Sequence, residues 1–181
     1  IAQGTYCIIG NGGILKKVYF PREILPISVV TSGMVNYLIQ CLIIALFIII
    51  NHRPITLNLL LLPLIMLAQY LFTLGIVFIT SAINVYVRDL EYIVNFIIQL
   101  LFYGTPILYE LSMFAAAPKW IYMLMKINPM SVIITSYRDI FYWGNLPHVK
   151  SLIIVTIACL ILCWIGLTIF RKLSKGFAEE I

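Results

Sequence analysis

Long apolar runs separated by short polar segments divide this chain into predicted membrane spans. A helix needs roughly 20 apolar residues to cross the hydrocarbon core of a bilayer. Four runs approach or exceed that length, over residues 27–50, 55–85, 92–109 and 151–170. Residues 1–13 are too short and too rich in glycine to cross alone, and we interpret them as the end of a helix whose beginning is missing. The pattern predicts an all-α polytopic membrane protein, a fragment with about five transmembrane helices.

The region between the last two predicted spans is interrupted by prolines. Residues 110–150 contain Pro118, Pro129 and Pro147, which make the segment too broken for one span, yet it is too apolar for a free loop. We expect short interfacial or re-entrant helices here, whose backbone must be satisfied by protein or by a water-filled cavity. The preceding span is itself interrupted at residues 104–106, where a proline should kink or end the helix.

Composition supports the membrane class. Hydrophobic residues make up 62% of the chain, charged residues make up 10%, and the mean hydropathy is +1.05. Soluble domains are nearer half apolar and about a quarter charged. The net charge of +5 is carried by segments between spans, where basic residues set topology and contact anionic lipid. It therefore indicates a membrane-lipid partner and no nucleic-acid partner.

The distribution of lysine and arginine predicts the orientation of the spans. Basic residues are dense in segments 14–26, 86–91 and 171–181, and more dilute in segments 51–54 and 110–150. Short cytoplasmic loops carry an excess of basic residues. We therefore place the first three segments in the cytoplasm and the last two outside.

Polar side chains recur at helical spacing within the spans. They form three ridges, Asn36–Gln40, Gln69–Thr73–Thr80–Asn84 and Asn95–Gln99–Tyr103. Amides are costly against lipid, so each ridge should face other helices or a cavity. Two interpretations remain open. One is hydrogen bonding between helices, which contributes about 0.6 kcal/mol per contact on average, and the other is the lining of a polar pathway.

No pattern of residues indicates catalysis or metal binding. The sequence GNGG at 10–13 lacks the following Gly-Lys-Ser/Thr of a phosphate-binding loop, and His52 and His148 have no metal-ligand spacing. Charged residues are also absent from the middle of the spans, where they would mark an ion or proton path. If this protein drives transport, a partner must supply the energy. The basic, aromatic segment 15–26 is then a candidate docking element.

Five motifs resemble a known family over nearly the whole chain. In order, they are LKKVYFPREILP (15–26), INVYVRDLEYIV (83–94), QLLFYGTPILYELSM (99–113), NPMSVIITSYRDIFYWG (128–144) and FRKLSKGFAEEI (170–181). Together they resemble the permease subunits of ABC transporter type-2 polysaccharide exporters, which export O-antigen, capsule or teichoic acid. A single short motif would be weak evidence, whereas five in the same order and spacing are specific.

The resemblance implies an architecture and a set of partners. Residues 1–181 would form a single type-2 transmembrane domain that lacks its N-terminal part, since the family has six transmembrane helices. The permease would be a multi-pass protein of the bacterial plasma (inner) membrane. It would work as a homodimer with two ABC ATP-binding subunits and would move a lipid-linked glycan. ATP and Mg²⁺ would be bound by the partner, with no cofactor on this chain.

The resemblance also implies roles for particular segments. Segment 15–26 would be the cytoplasmic coupling segment, 107–150 the external gate helices and 151–170 the last span. The residues that would dock on the ATPase are Lys16, Lys17, Tyr19, Phe20, Arg22 and Glu23. The resemblance and the polar ridge together indicate which residues would line the substrate pathway. They are Asn95, Gln99, Tyr103 and Tyr109.

Two other functions are compatible with parts of this pattern. A type-2 ABC exporter of drugs or lipids would have a similar membrane layout. A membrane enzyme acting on polyprenyl-linked sugars would need paired acidic residues. The predicted topology separates Asp89 and Glu91 on the cytoplasmic side from Glu110 and Asp139 on the other. The sequence therefore favours a permease subunit without enzymatic activity of its own.

Overall fold

A computed structural model describes residues 1–15, 21–50, 57–107 and 128–177, and within these ranges the ordered elements are all helical. The α-helices are α1 (Ala2–Gly10), α2 (Gly12–Leu15), α3 (Ile24–Ile50), α4 (Leu62–Tyr86), α5 (Leu90–Gly104), α6 (Pro129–Arg138) and α7 (Val149–Ser174). A 3₁₀ turn, Leu57–Leu61, leads into α4, and a π-helical turn, Asp139–Trp143, follows α6. The predicted all-α class is confirmed.

Within the part of the chain that the structure describes, three helices are long and apolar enough to cross a membrane. They cover Ile24–Ile50, Asn58–Tyr86 and Val149–Ser174, and these match three of the four full spans predicted from the sequence. The chain is therefore a multi-pass membrane protein. The remaining predicted span, 92–109, corresponds to α5.

Helix α5 is shorter than the predicted span because it ends at Gly104. It has 15 residues, which corresponds to about 22 Å at 1.5 Å per residue, less than the roughly 30 Å of a hydrocarbon core. Pro106 is buried just beyond the helix end, and the amide of Ile107 donates to the carbonyl of Thr105 at 2.7 Å. The predicted break is thus a tight turn, and residues 108–127 of the predicted gate segment lie outside the described residues.

Proline and asparagine mark the beginnings of the helices. Pro26 and Pro63 lie in the first turns of α3 and α4, where the missing amide hydrogen removes no intrahelical hydrogen bond. Helix α6 begins with Pro129 behind the N-cap Asn128, whose side-chain oxygen accepts a hydrogen bond from the amide of Met130 at 3.0 Å. Capping of this kind supplies a partner for one of the four orphan amides at a helix start.

Contacts divide the chain into two compact units. The first comprises Ile1–Leu38, Tyr70–Ile97 and Cys159–Ile181, and the second comprises Ile39–Gln69 and Ile98–Ala158. The core of the first unit is built from Cys7, Ile8, Val30, Leu74, Val77, Phe78, Ala82, Val85, Phe170 and Phe177. The core of the second is built from Ile65, Ala68, Ile133, Ile140 and Leu152.

Two glycines allow α4 and α7 to approach closely in the first unit. A Cβ atom on Gly166 would lie 2.5 Å from the carbonyl oxygen of Gly75, and one on Gly75 would lie 2.9 Å from the amide nitrogen of Cys163. Small residues at such crossings let helix backbones pack directly in membranes, where van der Waals contact replaces the hydrophobic drive. The crossing therefore has no room for a side chain.

The polar ridge of α4 pairs with α1. The hydroxyl of Thr5 hydrogen-bonds to that of Thr80 at 2.9 Å, and the Asn84 amide donates to the carbonyl of Thr5 at 3.2 Å. Asn84 and Thr5 are fully buried. For this part of the ridge, interhelical hydrogen bonding is the interpretation that the structure supports.

In the second unit the chain before α4 is joined to the turn after α6. The side-chain amide of Asn58 donates to the carbonyl of Gly144 at 2.8 Å. Gly144 ends the π-helical turn with a φ of 66°, in the left-handed region that glycine adopts without a steric penalty. The hydrogen bond therefore depends on a backbone conformation that other residues adopt only with strain.

Candidate docking and pathway sites

The proposed docking segment is partly described, at its junction with α3. Arg22 and Glu23 immediately precede the helix and are only partly exposed. The other proposed docking residues, Lys16, Lys17, Tyr19 and Phe20, lie outside the described residues. Both described residues contact the C-terminal end of α7, which is more than 140 positions away along the chain.

Arg22 caps the end of α7. Its guanidinium donates a hydrogen bond to the backbone carbonyl of Ser174, the last residue of the helix. The same group lies over the ring of Phe177, with its central carbon 5.7 Å from the ring centroid. The last four carbonyls of a helix have no intrahelical partner, and a cation at this end also interacts favourably with the helix dipole. Arg22 therefore supplies both interactions from the turn that precedes α3.

Glu23 forms a bidentate ion pair with Arg171. Arg171 Nε donates to one carboxylate oxygen at 2.8 Å and Nη2 donates to the other at 3.2 Å. The side chain of Arg171 is 62% exposed and that of Glu23 is 29% exposed. An ion pair this open to water contributes little to folding stability, but the fork geometry fixes its direction.

Tyr86 and Phe177 complete this arrangement. The hydroxyl of Tyr86, the last residue of α4, donates to the carbonyl of Leu173 at 2.8 Å. Phe177 is 1% exposed and packs edge-on against Tyr86 at 6.1 Å and against Phe170 at 5.7 Å. We call Arg22, Glu23, Tyr86, Arg171 and Phe177 the C-terminal clasp.

The clasp brings together parts of three segments that the charge pattern places on one side of the membrane. Segments 14–26, 86–91 and 171–181 each contribute at least one clasp residue. They meet in the same unit, as a shared cytoplasmic location requires. The sidedness itself stays a prediction from the basic residues.

The proposed pathway residues lie on α5. Asn95 is partly buried, Gln99 is exposed, and Tyr103 is 71% exposed and edge-on to Phe102 at 5.4 Å. Their spacing of four keeps them on one helix face. Exposure on that face increases from Asn95 toward Tyr103, and Tyr109 lies outside the described residues. On α3, Asn36 and Gln40 are exposed as well.

The turn after α5 is held by residues at both ends of α6. Buried Thr105 donates to the carbonyl of Leu101 at 2.6 Å and accepts from the Asn128 amide at 3.3 Å. Arg138 donates to the carbonyls of Pro106 and Ile107 at 2.8 and 3.0 Å. Carbonyls exposed by a helix break must find partners at membrane depth, and here protein donors supply them.

Sequence reasoning missed Asn128 and Arg138 as partners of this turn. Asn128 had a local signal, since Asn-Pro is a typical helix start, but neither residue carried a signal for its contact with residues 105–107.

Next to Arg138, burial raises the pKa of the Asp139 carboxyl, while the charges of His148 and Arg138 act in the opposite direction. Among the described residues, no group of three or more His, Cys, Asp or Glu side chains could hold a metal ion.

These features define a class, a multi-pass α-helical membrane subunit with a charged segment at the ends of its helices. Comparison with known proteins gives the family. The model of the ABC-2 type transporter family matches residues 1–142. This chain belongs to the ABC-2 type transporter family. It is a permease-type subunit, and the family implies a separate ATP-binding partner subunit.

Individual relatives match along the whole chain. An O-antigen export system permease protein RfbA from Myxococcus xanthus is 35% identical over 182 residues, which cover 100% of this chain and 69% of the relative. Two proteins of the same name from Klebsiella pneumoniae are 36% and 38% identical over 178 residues, which cover 98% of this chain and 67% of each relative. The chain thus spans about two thirds of the length of these relatives.

Proposed function

We propose that this chain is the permease subunit of an ATP-driven exporter of lipid-linked polysaccharide of the O-antigen, capsule or teichoic-acid type. The observation that carries the proposal is the match with the O-antigen export permeases, which covers 98–100% of this chain. The permease works as a homodimer with two ATP-binding subunits in the inner membrane of a bacterium. ATP and Mg²⁺ bind to the partner, which performs the hydrolysis.

The proposed docking surface is the basic segment before α3. This segment would offer cations and aromatic rings to the ATPase through Lys16, Lys17, Tyr19 and Phe20. Charge complementarity at such an interface sets specificity and association rate more than raw affinity. Lys16→Glu with Lys17→Glu should therefore reduce the amount of ATP-binding subunit that co-purifies with the permease.

The proposed pathway is the face of α5 that carries Asn95, Gln99 and Tyr103. Exposed Gln99 offers amide hydrogen bonds, and Tyr103 offers a ring face and a hydroxyl to a passing sugar. An amide facing lipid is costly because hydrocarbon provides no hydrogen-bond partner. The arrangement that avoids this cost turns the face toward a second permease and a channel between the two copies.

Complementation tests the proposed function. The gene that encodes this chain and the gene of its ATP-binding subunit are placed in a bacterium that lacks its own O-antigen export permease and ATPase. We expect surface polysaccharide, detected with a lectin or antibody, to return. The matched control carries an ATP-binding subunit that cannot hydrolyse ATP. Polysaccharide retained inside the cell, together with export of small drugs or phospholipid by the same complex, would assign the chain to another type-2 exporter.

A further inference from the structure

The C-terminal clasp connects the start of α3 to the ends of α4 and α7. We infer that Arg22 and Glu23 are positioning residues, which set the direction of the docking segment through Arg171 and Phe177, instead of meeting the ATPase themselves. The inference rests on the proposed function, because it concerns the residues that precede α3 and their assigned partner.

The geometry favours positioning over docking for Arg22. A guanidinium that donates from Nη1 to the Ser174 carbonyl and lies over the Phe177 ring has one of its hydrogen-bonding nitrogens and one face engaged within the chain. The ring below it is buried and packed against two further aromatic side chains. Turning Arg22 toward a partner protein would uncover Phe177 and leave a helix-end carbonyl without its donor.

Glu23 is held in a comparable way. Its two carboxylate oxygens accept hydrogen bonds from two nitrogens of Arg171, so the ion pair defines the direction of both side chains. Glu23 also takes part in the first turn before α3, since its carbonyl accepts from the amide of Ile27 at 3.3 Å. The ion pair therefore fixes the start of α3 relative to the last turn of α7.

The consequence for transport follows from this connection. The docking segment leads directly into α3, so a displacement imposed by the ATPase reaches α7 and α4 through the clasp. If the clasp were released, the segment could still bind the ATPase, but its movement would no longer be passed on efficiently. The predicted defect is therefore a loss of coupling between hydrolysis and transport, with little loss of assembly or stability.

A charge-swap experiment on the assembled permease–ATPase complex tests this inference. The variants are Arg171→Glu, Glu23→Arg and the double swap. The control is Lys172→Glu, a charge reversal at the neighbouring residue, which is also exposed and lies outside the clasp. The readouts are polysaccharide exported per ATP hydrolysed, co-purified ATP-binding subunit and the thermal midpoint of the purified complex.

We expect each single clasp variant to lower export per ATP by about fivefold, and the double swap to restore most of it, as for directly interacting residues. Co-purification and the thermal midpoint should stay at the wild-type level, as for Lys172→Glu. The inference is overturned if Arg171→Glu couples as well as the control, or if the double swap is as defective as the single variants.

A separate pair of variants distinguishes this inference from the proposed docking surface. Lys16→Glu with Lys17→Glu should reduce the amount of co-purified ATP-binding subunit, whereas the clasp variants should retain it at the wild-type level. Normal co-purification by the lysine variants refutes the docking surface. Loss of the ATP-binding subunit in Arg171→Glu and Glu23→Arg, without recovery in the double swap, refutes positioning and assigns these two residues to the ATPase interface.

Discussion

Removing Arg138 should release the turn that ends α5. Its guanidinium donates to the carbonyls of Pro106 and Ile107 at 2.8 and 3.0 Å, and Arg138→Leu leaves both without this donor. Pro106 is fully buried, so water has little access to replace it. Hydrogen bonds to a charged group contribute about 1.5–3 kcal/mol, and the more exposed bond to Ile107 adds less. We take about 2 kcal/mol as the expected loss.

The loss is measurable as a change in thermal unfolding. For a chain of this size, about 2 kcal/mol lowers the unfolding midpoint by about 4–8 °C. The assay is thermal unfolding of the detergent-purified permease, followed by tryptophan fluorescence or by loss of monodisperse protein. Arg138→Lys should fall between the wild type and Arg138→Leu, since an ammonium keeps the charge but lacks the planar fork.

The matched control is Lys150→Leu, which removes an exposed cation near the start of α7. It should shift the midpoint by less than about 2 °C, in keeping with a surface substitution of at most about 0.5 kcal/mol. If Arg138→Leu unfolds at the same temperature as this control, the two carbonyls have other partners and the reasoning is refuted.

Three further predictions concern packing, the pathway and topology. Gly166→Leu should reduce the unfolding midpoint and membrane abundance because its Cβ would meet the Gly75 carbonyl at 2.5 Å, whereas Gly33→Leu, with nothing within 4 Å, should behave as wild type. Gln99→Leu with Tyr103→Leu should slow export at equal abundance; wild-type export would show that this ridge only packs. The predicted topology places Asn145 outside and Lys175 in the cytoplasm. In a cysteine-free background, an impermeant maleimide applied to intact cells should therefore label Asn145→Cys but not Lys175→Cys.

Local chemistry explains why most of the fold could be predicted. The spans at α3, α4 and α7 follow from runs of apolar residues as long as the bilayer requires, and the prolines of α3 and α4 lie in first turns, where they are tolerated. The end of α5 follows from Pro106. The apolar run itself continues to residue 109, and hydropathy alone cannot locate a helix end within such a run.

The candidate sites were less predictable from the sequence than the helices. The motif at 15–26 identified a docking segment, but nothing in the sequence pointed to partners of Arg22 and Glu23 within the chain. The pairing of Glu23 with Arg171 spans 148 positions, and no spacing rule relates residues so far apart. The same applies to the hydrogen bond between Thr5 and Thr80. This contact supports interhelical packing as the role of that part of the α4 ridge.

By itself, the sequence determined the membrane class, the positions of the spans and the family, because apolar length, proline chemistry and short motifs act over a few turns of chain. Only the tertiary structure decided which polar groups meet, such as Arg22 with the end of α7 and Arg138 with the turn after α5. Such groups pair because a backbone carbonyl or charge at a helix end needs a partner, and which side chain arrives depends on how the helices pack.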